Sequence, residues 1–347
     1  MTPNSEKGVY KPSWIDRFGK RVEGLPVRPW IFYAVFGIAL ILVQLLFLWL
    51  DSGLQAEELL PIIVFNGLAI PFLLALIHLL DNLALTSLSS MRPVLDMTGP
   101  EFDDYAFRLS NMPFLAPLLA GVAVTALTIL SPLVSTAPIR YAALEQLPVF
   151  GVVFHLVDKG SAFIVGVFLY HTIRQLRLVN AINARHIRVN LFHLRPLQAF
   201  SRLTALTAFG FLVFVYLWMI INPELLADPL LFGYVVAFTL AAVLVFVWPL
   251  WGAHKLIQTE KEKALHEIDR HFETVFSSFN QSIHEADYAA TERLVGTVSS
   301  LDIQRKRISD IDTWPWSSDT ARIALTAIAL PLILMIIQFF VLQALDR

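Results

Sequence analysis

The chain of 347 residues has no cysteine, which excludes disulfides, thiolate metal sites and thiol catalysis. Charge is also scarce. Only 16% of residues are Asp, Glu, Lys or Arg, against about 25% in a soluble domain. Enzyme signatures are missing as well. There is no phosphate-cradling glycine loop, no H-E-x-x-H and no G-x-S-x-G. The paired carboxylates Asp103 with Asp104 and Asp310 with Asp312 fall in connecting segments, with no apolar setting to part their pKa values. The histidines of "HEIDRH", His266 and His271, are wrongly spaced for two zinc ligands on one helical face and read as solvent-facing. The expectation is therefore not an enzyme, with no catalytic residue, no resident metal, no cofactor and no nucleic-acid partner.

What is abundant is apolar sequence: 56% hydrophobic residues and a mean hydropathy of +0.63. They bunch into runs of about twenty, the length that crosses a bilayer core of roughly 30 Å as a helix. Seven runs are expected as spans: 30–50, 59–80, 113–134, 147–170, 203–221, 229–251 and 323–342. Backbone in hydrocarbon must satisfy its own hydrogen bonds, and no alternating strands of a barrel appear, so each run is read as helix. The first run is too long for a signal core and lacks a cleavage site, so it reads as a retained anchor. The fold class is all-α, a polytopic membrane bundle of seven helices with a cytoplasmic helical hairpin.

Lys and Arg give the orientation. Segments 1–29, 81–112, 171–202 and 252–322 hold 6, 2, 6 and 9 of the 26, while the intervening loops and the tail hold only Arg140 and Arg347. A plasma membrane of the bacterial inner type, with the N-terminus cytoplasmic and the C-terminus external, is expected. Division follows: a basic tail over 1–29 with a surface helix near 13–21, spans one to six over 30–254, a hairpin over 255–313, and an elbow with span seven over 314–347. Trp314 and Trp316 flank Pro315 before the last span, and Trp248 and Trp251 flank Pro249 where the sixth leaves. All four indoles read as anchors in the headgroup layer.

Residues 255–311 contain no proline and one glycine. Leu265, Ile268, Phe272, Val275, Phe276, Phe279 and Ile283 recur at helical spacing, as do Leu294, Val298, Leu301 and Ile308. One unbroken helix would carry the chain about 85 Å from the membrane, so a bend is expected within 282–287. Such a hairpin buries its stripes against each other, against other cytoplasmic extensions or against another subunit, and a homo-oligomer is expected. Between spans two and three, 81–112 reads as a broken helical connector on the cytoplasmic surface, interrupted at Pro93, Gly99 and Pro100.

Two constellations are candidate sites. His155, Asp158 and Lys159 lie in an otherwise apolar span, where charge is costly unless paired. His155 can neighbour either of the others, while Asp158 and Lys159 diverge by about 100° and are expected to need separate partners. The competing reading puts them near headgroups, with Lys159 snorkelling. Asn66 and His78 are weaker intramembrane hints, and Pro61, Pro71, Pro132 and Pro331 are candidate kinks. After that span, 160–222 holds no acidic residue, and Arg174, Arg177, Arg185 and Arg188 share about 80° of helix circumference. This stripe serves anionic headgroups, or pairs with the hairpin's acids or an anionic ligand.

The layout resembles the insect odorant and gustatory receptor superfamily. Those are tetrameric cation channels of seven spans with a cytoplasmic N-terminus, cytoplasmic helix extensions and a pore lined by the last span. In that span the family carries Thr-Tyr, five apolar residues, then Gln-Phe. Here residues 333–337 are five apolar residues followed by Gln338 and Phe339, while Pro331 and Leu332 stand where Thr-Tyr would be. The resemblance implies a channel or channel-like sensor with Gln338 and Phe339 at the pore. A proton-coupled transporter and a non-catalytic scaffold that recruits partners through the hairpin remain alternatives. The transported ion or small-molecule ligand is not specified.

Overall fold

The computed structural model describes residues 10–52, 59–130, 144, 146–187, 191–192, 194, 199–222, 229–314, 333 and 337. They form helices α1 (Trp14–Glu23), α2 (Pro29–Ser52), α3 (Leu60–Met91), α4 (Gly99–Ser110), α5 (Leu115–Leu130), α6 (Pro148–His186), α7 (Ala199–Ile221), α8 (Pro229–His284) and α9 (Tyr288–Ser309). Among the described residues four stretches are long and apolar enough to cross a membrane: Pro29–Asp51, Leu60–Val94, Pro148–His186 and Ala199–Ile221. They coincide with expected spans 30–50, 59–80, 147–170 and 203–221. The expected 113–134 is represented by α5, apolar over its 16 described residues, while 131–134 lie outside the described residues. The expected 229–251 is the first part of α8, and 323–342 lies outside the described residues apart from Ile333 and Ile337.

α3 runs past its expected end at Leu80 to Met91. Leu80, Ala84, Leu88 and Met91 are each fully buried, so the packed stripe continues where the hydrophobic run stops. Pro61 sits in the first turn of α3, where its missing N–H costs nothing, and is not a kink; Pro71 is inside the helix. α6 begins at Pro148, and its first amides are capped from another helix. Asp51 Oδ2 accepts Val149 N at 2.9 Å and Phe150 N at 2.7 Å. α5 and α6 approach backbone to backbone at Gly166: a Cβ there would overlap the carbonyl oxygen of Ala120 and lie 2.9 Å from Gly121 Cα. Small residues permit such crossings between membrane helices.

The helix expected near 13–21 is present as α1, and from Tyr10 onward this stretch packs against the other helices. Ser13 and Asp16 form the capping box of α1, and Ile15 and Val22 join the core. Asp16 Oδ2 accepts from Ser13 N, Ser13 Oγ and Met112 N, each at 2.8 Å. Ser13 N donates to Met112 O at 2.9 Å. These bonds fasten α1 to the end of α4.

α8 is a helix of 56 residues that passes through 248–251 without interruption. The chain reverses at 285–287, where Ala286 takes φ 54°, and α9 returns along α8. Ile268 and Ile308 are buried between the arms. Arg305 Nε meets Asp269 Oδ1 at 2.7 Å. Lys261 Nζ donates to Ser309 O at 2.6 Å and Ile311 O at 2.8 Å, capping the end of α9. Phe276, Ile283, Val295 and Ile303 remain exposed.

Candidate functional site

A cavity of about 730 Å³ opens between α3, α5, α6 and α7, toward the N-terminal end of α6. Its walls are mainly apolar, including Phe65, Val152, Phe211, Phe214 and Trp218. Its polar lining includes Asn66 of α3, Thr128 of α5, and His155, Asp158, Lys159 and Ser161 of α6. That volume lies within the range of about 300–1,000 Å³ typical of small-molecule sites.

The candidate residues of α6 therefore share one cavity. Lys159 Nζ stands 2.9 Å from Asp158 Oδ2, with about a third of each side chain exposed. This corrects the expectation that the two need separate partners. The 100° divergence holds for the Cβ directions, but the lysine's four methylenes are long enough to bring the ammonium back across it. The pair lowers the cost of placing charge in an apolar helix. His155 is exposed, its ring edge-on to Phe154 at 5.8 Å. Asn66 is buried in α3, and its Nδ2 has no hydrogen-bond partner among the described residues. Asn222 Nδ2 donates to Trp218 O at 2.8 Å and closes α7. The cavity thus offers a carboxylate, an ammonium, an imidazole and a buried amide donor within an apolar envelope. It can orient a polar-headed organic molecule or hold an ion.

The remaining candidates are elsewhere. Arg174 is engaged within the fold. Its guanidinium donates to Arg108 O and Tyr10 Oη and lies 5.6 Å over the Tyr10 ring. Burial raises the Tyr10 phenol's pKa, with Arg174 pulling the other way. Arg177 and Arg185 are exposed, and Arg188 lies outside the described residues. Gln338, Phe339 and Trp316 also lie outside them. Trp248 and Trp251 are half-exposed. Trp314 stacks on His254 with ring centres 4.2 Å apart and meets Trp251 at 6.0 Å. Two of the four expected anchors therefore belong to one ring cluster at the hairpin's base. His266 and His271 are exposed.

Sequence reasoning named His78 but missed the rest of a second polar group. His171 Nε2 lies 2.8 Å from Asp81 Oδ1, and Gln175 Nε2 donates to Leu109 O at 3.3 Å. His78 Nε2 is 3.0 Å from Glu23 Oε1, and its Nδ1 is 3.2 Å from Tyr33 Oη. The available signal was the three-residue spacing of His78 and Asp81, which places both on one face of α3. Ending the span at Leu80 assigned Asp81 to the cytoplasmic connector instead.

Comparison with protein-family models, with curated proteins and with solved structures finds no match.

Proposed function

We propose that this membrane protein is an oligomeric ion channel or channel-like sensor of seven spans, with its N-terminus cytoplasmic and its C-terminus external. The observation that carries the reading is the cavity of about 730 Å³ among apolar helices, with the Asp158–Lys159 pair and His155 in its wall. An apolar cavity with a few convergent polar groups is the usual form of a ligand site. Gln338 and Phe339, and their resemblance to the odorant and gustatory receptor motif, supply the pore argument. The exposed apolar residues of the hairpin supply the assembly argument. The same ion pair favours a second reading, a proton-coupled transporter, because intramembrane ionisable groups serve both tasks.

The test is conductance of the purified protein in planar bilayers and ion flux in liposomes. A channel gives unitary current steps. The Asp158→Asn variant should fold normally and change conductance or its pH response. Saturable, proton-coupled uptake without current steps would replace the channel by the carrier. Neither signal, with the protein shown folded and inserted, would refute both.

A further inference from the structure

The large cavity is elongated, and its length follows one face of α6. Pro148, Gly151, His155, Asp158, Ala162 and Val165 line it at spacings of three and four, which keeps them on a single side of the helix. From the first to the last of them the helix rises about 25 Å, most of a bilayer core of roughly 30 Å. Divided into about 730 Å³, that length leaves a mean cross-section of about 30 Å², room for one hydrocarbon chain. The Asp158–Lys159 pair divides this slot. The longer arm runs about 15 Å back to Pro148, where Ile62, Ile129, Val152 and Trp218 supply apolar wall. Lys159 Nζ and Asp158 Oδ2 stand 2.9 Å apart, each side chain about a third exposed, and their charges cancel.

A head group seated at the pair meets an acceptor and a donor side by side. A carboxylate only accepts and an ammonium only donates, whereas a hydroxyl does both. A hydroxyl can therefore accept from Lys159 while it donates to Asp158. A head of net charge would instead leave an uncompensated ion in a low-dielectric site. On the α3 wall, Asn66 is buried and its Nδ2 lacks a partner among the described residues. A carbonyl oxygen supplies that partner once the amide turns toward the cavity. We propose that the slot holds an uncharged single-chain lipid with hydroxyls and an ester carbonyl in its head, of the monoacylglycerol class, drawn from the surrounding bilayer. Its chain lies along the apolar arm, and its head meets Asp158, Lys159 and Asn66. This occupant presupposes that the cavity is a ligand site, as the functional reading holds, but not that the chain conducts ions.

The experiment is photolabelling of the full chain in phosphatidylcholine nanodiscs with a monoacylglycerol that carries a diazirine in its chain. Adducts are mapped by peptide mass spectrometry. They should concentrate on the cavity-lining stretches of α6 and α7, and unlabelled monoolein should displace them saturably. Oleic acid, oleylamine and octadecene offer similar chains with other heads, at a pH where the acid is ionised and the amine protonated. Each should displace at least about tenfold less well. Asp158→Asn leaves the Lys159 charge unpaired and should reverse the order, so that oleate displaces better than monoolein. Ala162→Trp fills the slot while keeping its polar groups and should remove the adducts. Adducts spread evenly over the lipid-facing helices, or equal displacement by all four competitors, would overturn the proposal whatever the conductance. If a variant does not fold, the competition series on the parent chain decides. Selective displacement in a protein that gives no current steps would uphold the lipid site and remove the channel.

Discussion

The close approach of α5 and α6 makes Gly166→Ala a quantitative test of the packing. The new Cβ would overlap Ala120 O and lie 2.8 Å from Ala120 C and 2.9 Å from Gly121 Cα. All three are backbone atoms, so no rotamer change can relieve the overlap. The helices must separate by on the order of 1 Å, which forfeits a quarter to a half of each dispersion contact across the seam. Overpacking of this kind costs about 1–3 kcal/mol, and membrane helices depend on such contacts because lipid gives them no hydrophobic drive to associate. Alanine's helix propensity returns up to about 1 kcal/mol. The net expectation is a loss of about 1–2 kcal/mol. Gly296→Ala in α9 is the control, since a Cβ there meets nothing within 4 Å. That substitution should gain about 0.5–1 kcal/mol. Equilibrium unfolding in mixed micelles containing SDS, followed by circular dichroism, measures both. A Gly166→Ala variant as stable as the parent would mean that the α5 and α6 backbones are not in contact.

Two other substitutions test assembly and orientation. Phe272→Asp removes one ring of the stacked Phe272–Phe276 pair of α8 and places a charge at a half-buried position. It should lower oligomer size in detergent chromatography and destabilise the hairpin by about 1–3 kcal/mol. If size and stability are unchanged, the hairpin is a solvated spacer. Because the sequence has no cysteine, Ser5→Cys and Ala344→Cys can be labelled singly. An impermeant thiol reagent on intact cells should modify the second and spare the first, and the opposite pattern would reverse the proposed orientation.

Helical class was legible because runs of about twenty apolar residues have few other solutions. A turn within 282–287 was legible from chain length and balanced arms, since one unbroken helix would carry the chain too far from the next apolar run; it falls at 285–287. Helix ends were less legible. Hydropathy stops at Asp81, whereas the buried spacing of Ala84, Leu88 and Met91 carries α3 to Met91. His155, Asp158 and Lys159 stood out as charge in an apolar run, but their mutual pairing depends on side-chain reach, which helical angles omit. Partners distant in sequence left no local trace. Glu23 meets His78, Asp81 meets His171, and Asp51 caps Val149 and Phe150, each across more than fifty residues. Arg174 illustrates the converse: its periodicity placed it on a basic stripe, yet its contacts are internal to the fold.

The stack of Trp314 on His254, with Lys261 holding the carbonyls of Ser309 and Ile311, brings the two feet of the hairpin together. The chain departs and returns at nearly one point, so the intervening stretch has the geometry of an insertion. A segment closed at its base can be shortened, lengthened or exchanged without displacing the helices that carry it, because its ends already satisfy the closure that a linker would otherwise impose. The arm is thus open to remodelling, by evolution or at the bench, while the bundle beneath it keeps its shape.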